Sequence, residues 1–246
     1  MVPWGDPGLF AWHRARYEFA LPFVPNRSVL DIGCGEGYGA ALLSVQAAEV
    51  VGIDYSPAAI GHARSTYRRR NLRFVVADAT RLDPAIGRFD VVTCFEVIEH
   101  LGNPEGLLDT IARTLNPGGL LVLSTPNGLV DRLFDVVRGE HYEYHINVLT
   151  PMDLRRFVKT HFQHAVLYGQ CHRGNALHLV LKSLDPLNLR HRLIRSLRLQ
   201  RALGGRLMGL PDYATSASLG SFRFSRLLVR QSPVSVLTAQ SPRRTR

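Results

Sequence analysis

Two groups of residues in this chain have types and spacings that suit chemistry. Glu96, Glu99 and His100 stand three and four positions apart in Phe95-Glu96-Val97-Ile98-Glu99-His100-Leu101. If that segment is helical they share one face, because residues three and four apart are neighbours on a helix. Two carboxylates and an imidazole gathered in this way can hold a divalent cation or take the proton of a hydroxyl. The second group is Val29-Leu30-Asp31-Ile32-Gly33-Cys34-Gly35-Glu36-Gly37-Tyr38-Gly39. A short apolar run closing on an acid and followed by glycines predicts a buried strand that stops, turns sharply and feeds a helix. Glycine permits positive φ there and lets backbone N–H groups approach a ligand closely, which suits a nucleotide-like molecule.

The elements that must position these groups follow a regular alternation. A helix spans about Leu9 to Phe23 and ends at Pro22 and Pro25, either over the ligand site or packed on the sheet. Val29 to Ile32 is the first strand, Glu49 to Asp54 the second, Leu72 to Ala77 the third, Phe89 to Phe95 the fourth and Leu120 to Ser124 the fifth. Helices over Gly39 to Val45, Pro57 to Arg68 and Pro104 to Leu115 lie between them. Strands alternating with helices mean βαβ units and a mostly parallel sheet. Asp54, Asp78 and Glu96 fall at carboxyl ends of strands, outside which such sheets bind their ligands.

Glycine spacing separates the candidate ligands. A dinucleotide fingerprint needs a third glycine where Tyr38 stands. The pattern present, Asp31-x-Gly33-x-Gly35-x-Gly37, is followed in order by Val51-Gly52-Ile53-Asp54, Val76-Ala77-Asp78-Ala79, Phe89-Asp90-Val91-Val92 and Leu115-Asn116-Pro117-Gly118-Gly119. Together these resemble the class I S-adenosylmethionine-dependent methyltransferases over roughly residues 28 to 170. The resemblance implies that Asp31, Gly33, Gly35 and Gly37 back the methionine part of S-adenosylmethionine, that Asp54 accepts from both ribose hydroxyls, and that Asp78 receives the adenine amino group. Ala79 and Glu96 also border the cofactor on this reading. A carboxylate suits the ribose because two vicinal hydroxyls donate to a bidentate acceptor.

The Glu96-x-x-Glu99-His100 element is similar to one found in ubiquinone-type O-methyltransferases and in enzymes that methylate the terminal ribose of small RNAs with metal help. Tyr144-His145-Ile146-Asn147-Val148-Leu149-Thr150-Pro151, with Leu167-Tyr168-Gly169-Gln170, resembles segments of bacterial methyltransferases that often act on glycans and glycolipids. His145 matches that pattern's histidine, whereas Val148 stands where a glutamate is usual. The expectation is that Glu96, Glu99, His100 and His145 surround a divalent cation or, failing that, an acceptor hydroxyl, with Glu99, His100 and His145 catalytic and a histidine as base. Oxygen ligands favour Mg or Mn, and two histidines shift the balance toward Zn. His141 is a weaker ligand candidate and reads as a solvated loop residue.

Composition bounds the rest. The 246 residues are 46% apolar, enough for a sizeable core. No apolar run is long enough to cross a membrane, and the first residues lack the layout of a signal peptide. Three cysteines without paired spacing suit a reducing compartment, so the cytoplasm is expected. The formal net charge of +10 is concentrated from Pro186 onward, where Asp212 is the single acid. There Leu189, Leu193, Ile194 and Leu197 share one helical face and Arg195, Arg198 and Arg201 another, a pattern suited either to an anionic membrane surface or to packing on the domain.

The expected architecture is α/β: a doubly wound, mostly parallel, Rossmann-like sheet of about seven strands with a helical C-terminal cap. The methyltransferase domain covers residues 1–185, a basic helical insertion 186–231, a last strand 232–240 and a disordered basic end 241–246. The segment Pro233 to Thr238 is preferred over Leu177 to Leu181 as the antiparallel partner of a sixth strand, His164 to Tyr168. The leading functional expectation is methylation of a hydroxyl, of a sugar in a glycan, glycolipid or glycosylated natural product. An RNA 2′-hydroxyl, a quinone-precursor phenol and a non-catalytic cofactor-binding protein are the alternatives. Against RNA, the body of the chain is close to neutral and no aromatic-rich RNA module is present.

Overall fold

The computed structural model describes residues 7–130, 145–172 and 222–242, apart from 228, 231 and 233. Eight strands form one sheet: β1 (Ser28–Ile32), β2 (Glu49–Asp54), β3 (Leu72–Val76), β4 (Phe89–Phe95), β5 (Leu115–Pro126), β6 (Phe162–His172), β7 (Phe222–Ser225) and β8 (Val234–Pro242). Their order is β3-β2-β1-β4-β5-β8-β6-β7. The first five run parallel. β8 lies antiparallel between β5 and β6, and β7 is antiparallel to β6. The order reverses at β1, which has β2 on one side and β4 on the other.

Helices α1 (Pro7–Ala20), α2 (Tyr38–Leu43), α3 (Pro57–Thr66), α4 (Pro104–Thr114) and α5 (Pro151–Val158) cover the sheet. Local chemistry starts them. Ser56 accepts from the Ala59 N–H and Pro57 occupies the first turn of α3, where a missing N–H costs nothing. Asn103 caps α4 in the same way. Thr150 and Asp153 hold each other at the start of α5. Alternate strand residues then face opposite layers. Leu30, Ile32, Val92 and Cys94 pack with Leu107, Leu108, Ile111, Leu154 and Val158 of α4 and α5. Val29, Val50, Val91 and Val122 pack with Tyr17, Ala40, Leu43, Ile60 and Ala63 of α1, α2 and α3. Both faces being covered, the central strands read as continuous apolar runs.

The sheet has one strand more than the seven expected. Phe222–Ser225 falls inside the segment read as a helical insertion, yet it forms the edge strand β7. Aromatic contacts hold it there: Phe222 stacks edge-on with Trp12 at 4.7 Å and Phe224 lies 4.4 Å from Phe19. The terminal strand also runs further than expected, through Pro242. The basic amphipathic stretch from Leu189 to Arg201, the alternative strand Leu177 to Leu181, His141, Tyr144 and residues 243–246 lie outside the described residues. Cys34, Cys94 and Cys171 are buried free thiols. Among the described residues no helix is long and apolar enough to cross a membrane.

Candidate active site at the carboxyl edge of the sheet

The glycine stretch leaves β1 at the reversal in strand order, where open α/β sheets place their ligands. Gly37 has φ +87°, and a Cβ there would come within 2.7 Å of Ala63 Cβ and the Phe74 ring. Gly35 has φ +53° but opens onto free space, so its backbone is the part of the loop a ligand can approach. Its N–H donates to Asp54 Oδ2 at 2.9 Å, and the Ser56 N–H donates to Oδ1 at 2.9 Å. Asp54 thus ties the end of β2 to the loop after β1. One strand further out, Asp78 is exposed and accepts the Thr80 N–H and hydroxyl, both at 2.8 Å. Those donors hold its carboxyl below the usual range, with Arg81 adding a smaller pull. Ala79 beside it is half-buried against the core.

Asp31 sits deeper. It is fully buried, accepts Thr93 Oγ1 at 2.7 Å and lies 3.2 Å from the Tyr17 hydroxyl. Burial raises its pKa from 3.8 to about 7, against the opposing pull of the Thr93 and Tyr17 hydroxyls. Tyr17 belongs to α1, which sequence reasoning left between a cover and a packing element. A Cβ on Gly39 would meet its ring at 1.9 Å, so α1 and α2 approach closely only because Gly39 has no side chain.

Arg16, the neighbouring residue of α1, is 2% exposed. Its Nε donates to Gln170 Oε1 at 2.9 Å, and Gln170 Nε2 donates back to the Trp12 carbonyl at 2.9 Å. Its Nη2 lies 3.6 Å from Glu96 Oε2. Sequence reasoning does not single out Arg16, Tyr17, Thr93 or Thr125, and its one signal for Gln170 is the Gly169-Gln170 resemblance.

Glu96 follows β4 with φ +53°, a left-handed conformation costly for a side-chain-bearing residue. Its Oε1 accepts Ser124 Oγ at 2.8 Å. The helical geometry that would put Glu96, Glu99 and His100 on one face is absent: the segment holds a single 3-10 turn, Ile98–His100, because the chain at Glu96 has not yet entered helical geometry. The expected four-residue cluster therefore gathers as three. One donor atom each from Glu99, His100 and His145 lies within 4.8 Å of the others, and Glu96 is not among them. His145 is brought in by backbone: the Ile146 and Asn147 N–H groups both donate to the Glu99 carbonyl, at 2.8 and 3.0 Å, and Asn147 Nδ2 donates to the Leu101 carbonyl. The His100 and His145 rings are 5.3 Å apart.

Glu99 is 1% exposed. Its Oε2 accepts Thr125 Oγ1 at 3.1 Å, while Oε1 has no hydrogen-bond partner among the described residues. Burial first, and then the nearby Glu96 charge, push its pKa well above the carboxylate range. A buried oxygen left unsatisfied is costly, and a cation or a donor hydroxyl would satisfy it. Asn127, just after β5, spends its amide on the carbonyls of Val229, Arg230 and Ser232, fixing the turn into β8 beside this edge.

A Mycobacterium tuberculosis protein named a probable S-adenosylmethionine-dependent methyltransferase is 40% identical over 118 residues, covering 48% of this chain and 42% of the relative. The ubiquinone biosynthesis O-methyltransferase of Dechloromonas aromatica is 33% identical over 140 residues, covering 55% and 60%. The chain thus spans only about half the length of the curated relatives it matches. Among solved structures, the N-methyltransferase NodS of Bradyrhizobium japonicum with S-adenosylhomocysteine superposes with a TM-score of 0.60 at 18% identity, covering 98% of this chain and 93% of that one. The [4+2]-cyclase SpnF superposes at 0.55 with 16% identity, covering 97% and 86%; likenesses at such identities show the fold alone. A methyltransferase-domain family model matches residues 11–161, well over half of the sequence, and the chain belongs to the class I S-adenosylmethionine-dependent methyltransferases.

Proposed function

We propose that this chain methylates a hydroxyl, that of a sugar in a glycan, glycolipid or glycosylated natural product, and that a divalent cation held by Glu99, His100 and His145 assists. The observation that carries the reading is the buried, unpartnered Glu99 Oε1 beside two imidazoles. Bound S-adenosylmethionine would supply an electrophilic methyl group on a sulfonium. The glycine loop, Asp54 and the ionised Asp78 fit its methionine, ribose and adenine parts, and fixed positioning is most of what an in-line displacement requires. A cation in the Glu99–His100–His145 group would make a hydroxyl easier to deprotonate. His100, the exposed member, is the way for the hydroxyl proton to reach solvent. Thr125 orients Glu99 through its Oε2.

A quinone-precursor phenol is the second reading, favoured by the ubiquinone O-methyltransferase relative. The test is transfer of label from methyl-labelled S-adenosylmethionine to hexose glycans, glycolipids and a catechol, with and without a chelator. Label on a sugar hydroxyl that disappears on chelation supports the proposal. Label on the catechol alone selects the second reading, and sugar methylation at full rate after exhaustive chelation removes the cation.

A further inference from the structure

Within a body of nearly balanced charge, residues 64–73 carry Arg64, Arg68, Arg69, Arg70 and Arg73 and no acid. They surround a hollow of about 530 Å³ together with Tyr67. The turn that presents them is rigidly fixed. Asn71 Nδ2 donates to the Ser44 and Ala47 carbonyls at 2.8 and 3.0 Å, and the Val50 N–H donates to the Asn71 carbonyl at 2.7 Å. Three guanidinium groups are anchored without being spent. Arg64 places Nε and Nη2 on the Phe74 carbonyl, and Arg69 places Nη1 on the Ala41 carbonyl and Ser44 Oγ. Arg73 reaches Glu49 at 3.4 Å and the Ile86 carbonyl at 3.2 Å.

Each guanidinium has five N–H donors, so these bonds leave donors on all three. Glu49 is the sole carboxylate in an ion pair with the five arginines among the described residues. Neutral carbonyls fix most of this charge without cancelling it. Fixed guanidinium forks with donors to spare match the oxygens of a phosphate in geometry as well as charge.

We propose that this hollow is a binding site for a phosphate or diphosphate ester group, separate from the methyl-transfer site. Its lining reaches along β3 no further than Phe74, whereas Asp78 lies four positions beyond, past the carboxyl end, about 13 Å away at 3.3 Å per residue. A ligand here does not compete with the cofactor.

The test is calorimetric titration of the full chain with inorganic pyrophosphate, in the presence and absence of S-adenosylhomocysteine. The comparison is with Arg68→Ser/Arg70→Ser and with the single Arg68→Gln, all exposed positions whose thermal unfolding is checked alongside. Saturable binding, weakened at least about tenfold in the double variant and unchanged by S-adenosylhomocysteine, is the expected result. Phosphatidylcholine vesicles with and without phosphatidic acid separate the sources. Retention displaced by pyrophosphate points to a lipid headgroup, and pyrophosphate binding without vesicle retention points to a free phosphate ester. No saturable pyrophosphate heat, unchanged binding in both variants, or retention of a single-stranded RNA that pyrophosphate does not displace would overturn the proposal.

Discussion

Replacing Asp31 with asparagine should change how stability depends on pH. Asp31 is fully buried, and burial lifts its pKa from 3.8 to about 7 in the folded protein. Below about pH 4 the group is protonated both folded and unfolded and contributes no pH dependence. Between 4 and 7 the unfolded chain releases its proton while the folded chain keeps it, so stability falls as pH rises; above 7 both forms are ionised and the loss is complete. A span of about three pH units at 1.36 kcal/mol each is about 4 kcal/mol. In Asp31→Asn this loss is absent. Urea unfolding of both proteins without cofactor, at pH 4 and pH 8, gives the comparison. With a urea slope of about 3 kcal/mol per molar, the wild-type midpoint should drop relative to that of Asp31→Asn by more than about 1 M. Parallel pH profiles for the two proteins would refute the reasoning, and with it the claim that a buried carboxyl at the end of β1 is protonated at mildly acidic pH.

Two glycine substitutions should separate folding from binding. Gly35→Ala meets no neighbour and suffers only from its positive φ, about 1–2 kcal/mol, yet it should weaken S-adenosylhomocysteine binding more than about tenfold because its methyl group occupies the approach to the loop. Gly37→Ala adds a clash with Ala63 and Phe74 and should lose a further 1–3 kcal/mol or so in urea unfolding. Thr125→Val removes the hydroxyl that Glu99 Oε2 accepts, and Mn titration should show affinity lowered about 10- to 100-fold. Arg16→Met takes the cation from beside Glu96 Oε2 and leaves the buried Gln170 Oε1 without its Arg16 donor, at a cost of about 1–3 kcal/mol in unfolding; Arg16→Lys should recover little, since one ammonium cannot span both partners.

Much of the sheet was legible because each parallel strand is an apolar run that closes on an acid or a turn. Asp54, Asp78 and Glu96 mark the carboxyl edge directly for that reason. The glycine spacing was equally readable, since each glycine answers a local demand of φ or contact. What escaped depends on contacts distant in the chain. Arg16 meets Gln170 across 154 positions, and no periodicity within α1 distinguishes the buried Arg16 and Tyr17 from their half-buried neighbours. The 3-10 turn at Ile98 escaped because a single left-handed residue, Glu96, resets the geometry that a spacing argument takes for granted. His145 joins Glu99 through backbone hydrogen bonds from Ile146 and Asn147, which side-chain spacing cannot reveal. β7 is four residues long and owes its place to Trp12 and Phe19 at the other end of the chain.

The most direct test of the central claim is calorimetric titration of S-adenosylhomocysteine into the chelator-treated protein, with Asp54→Ala in parallel. Saturable one-to-one binding by the wild type, lost or weakened at least about tenfold in Asp54→Ala, is the predicted result. No binding by the folded wild-type protein would contradict the assignment of the glycine loop, Asp54 and Asp78 as a cofactor site.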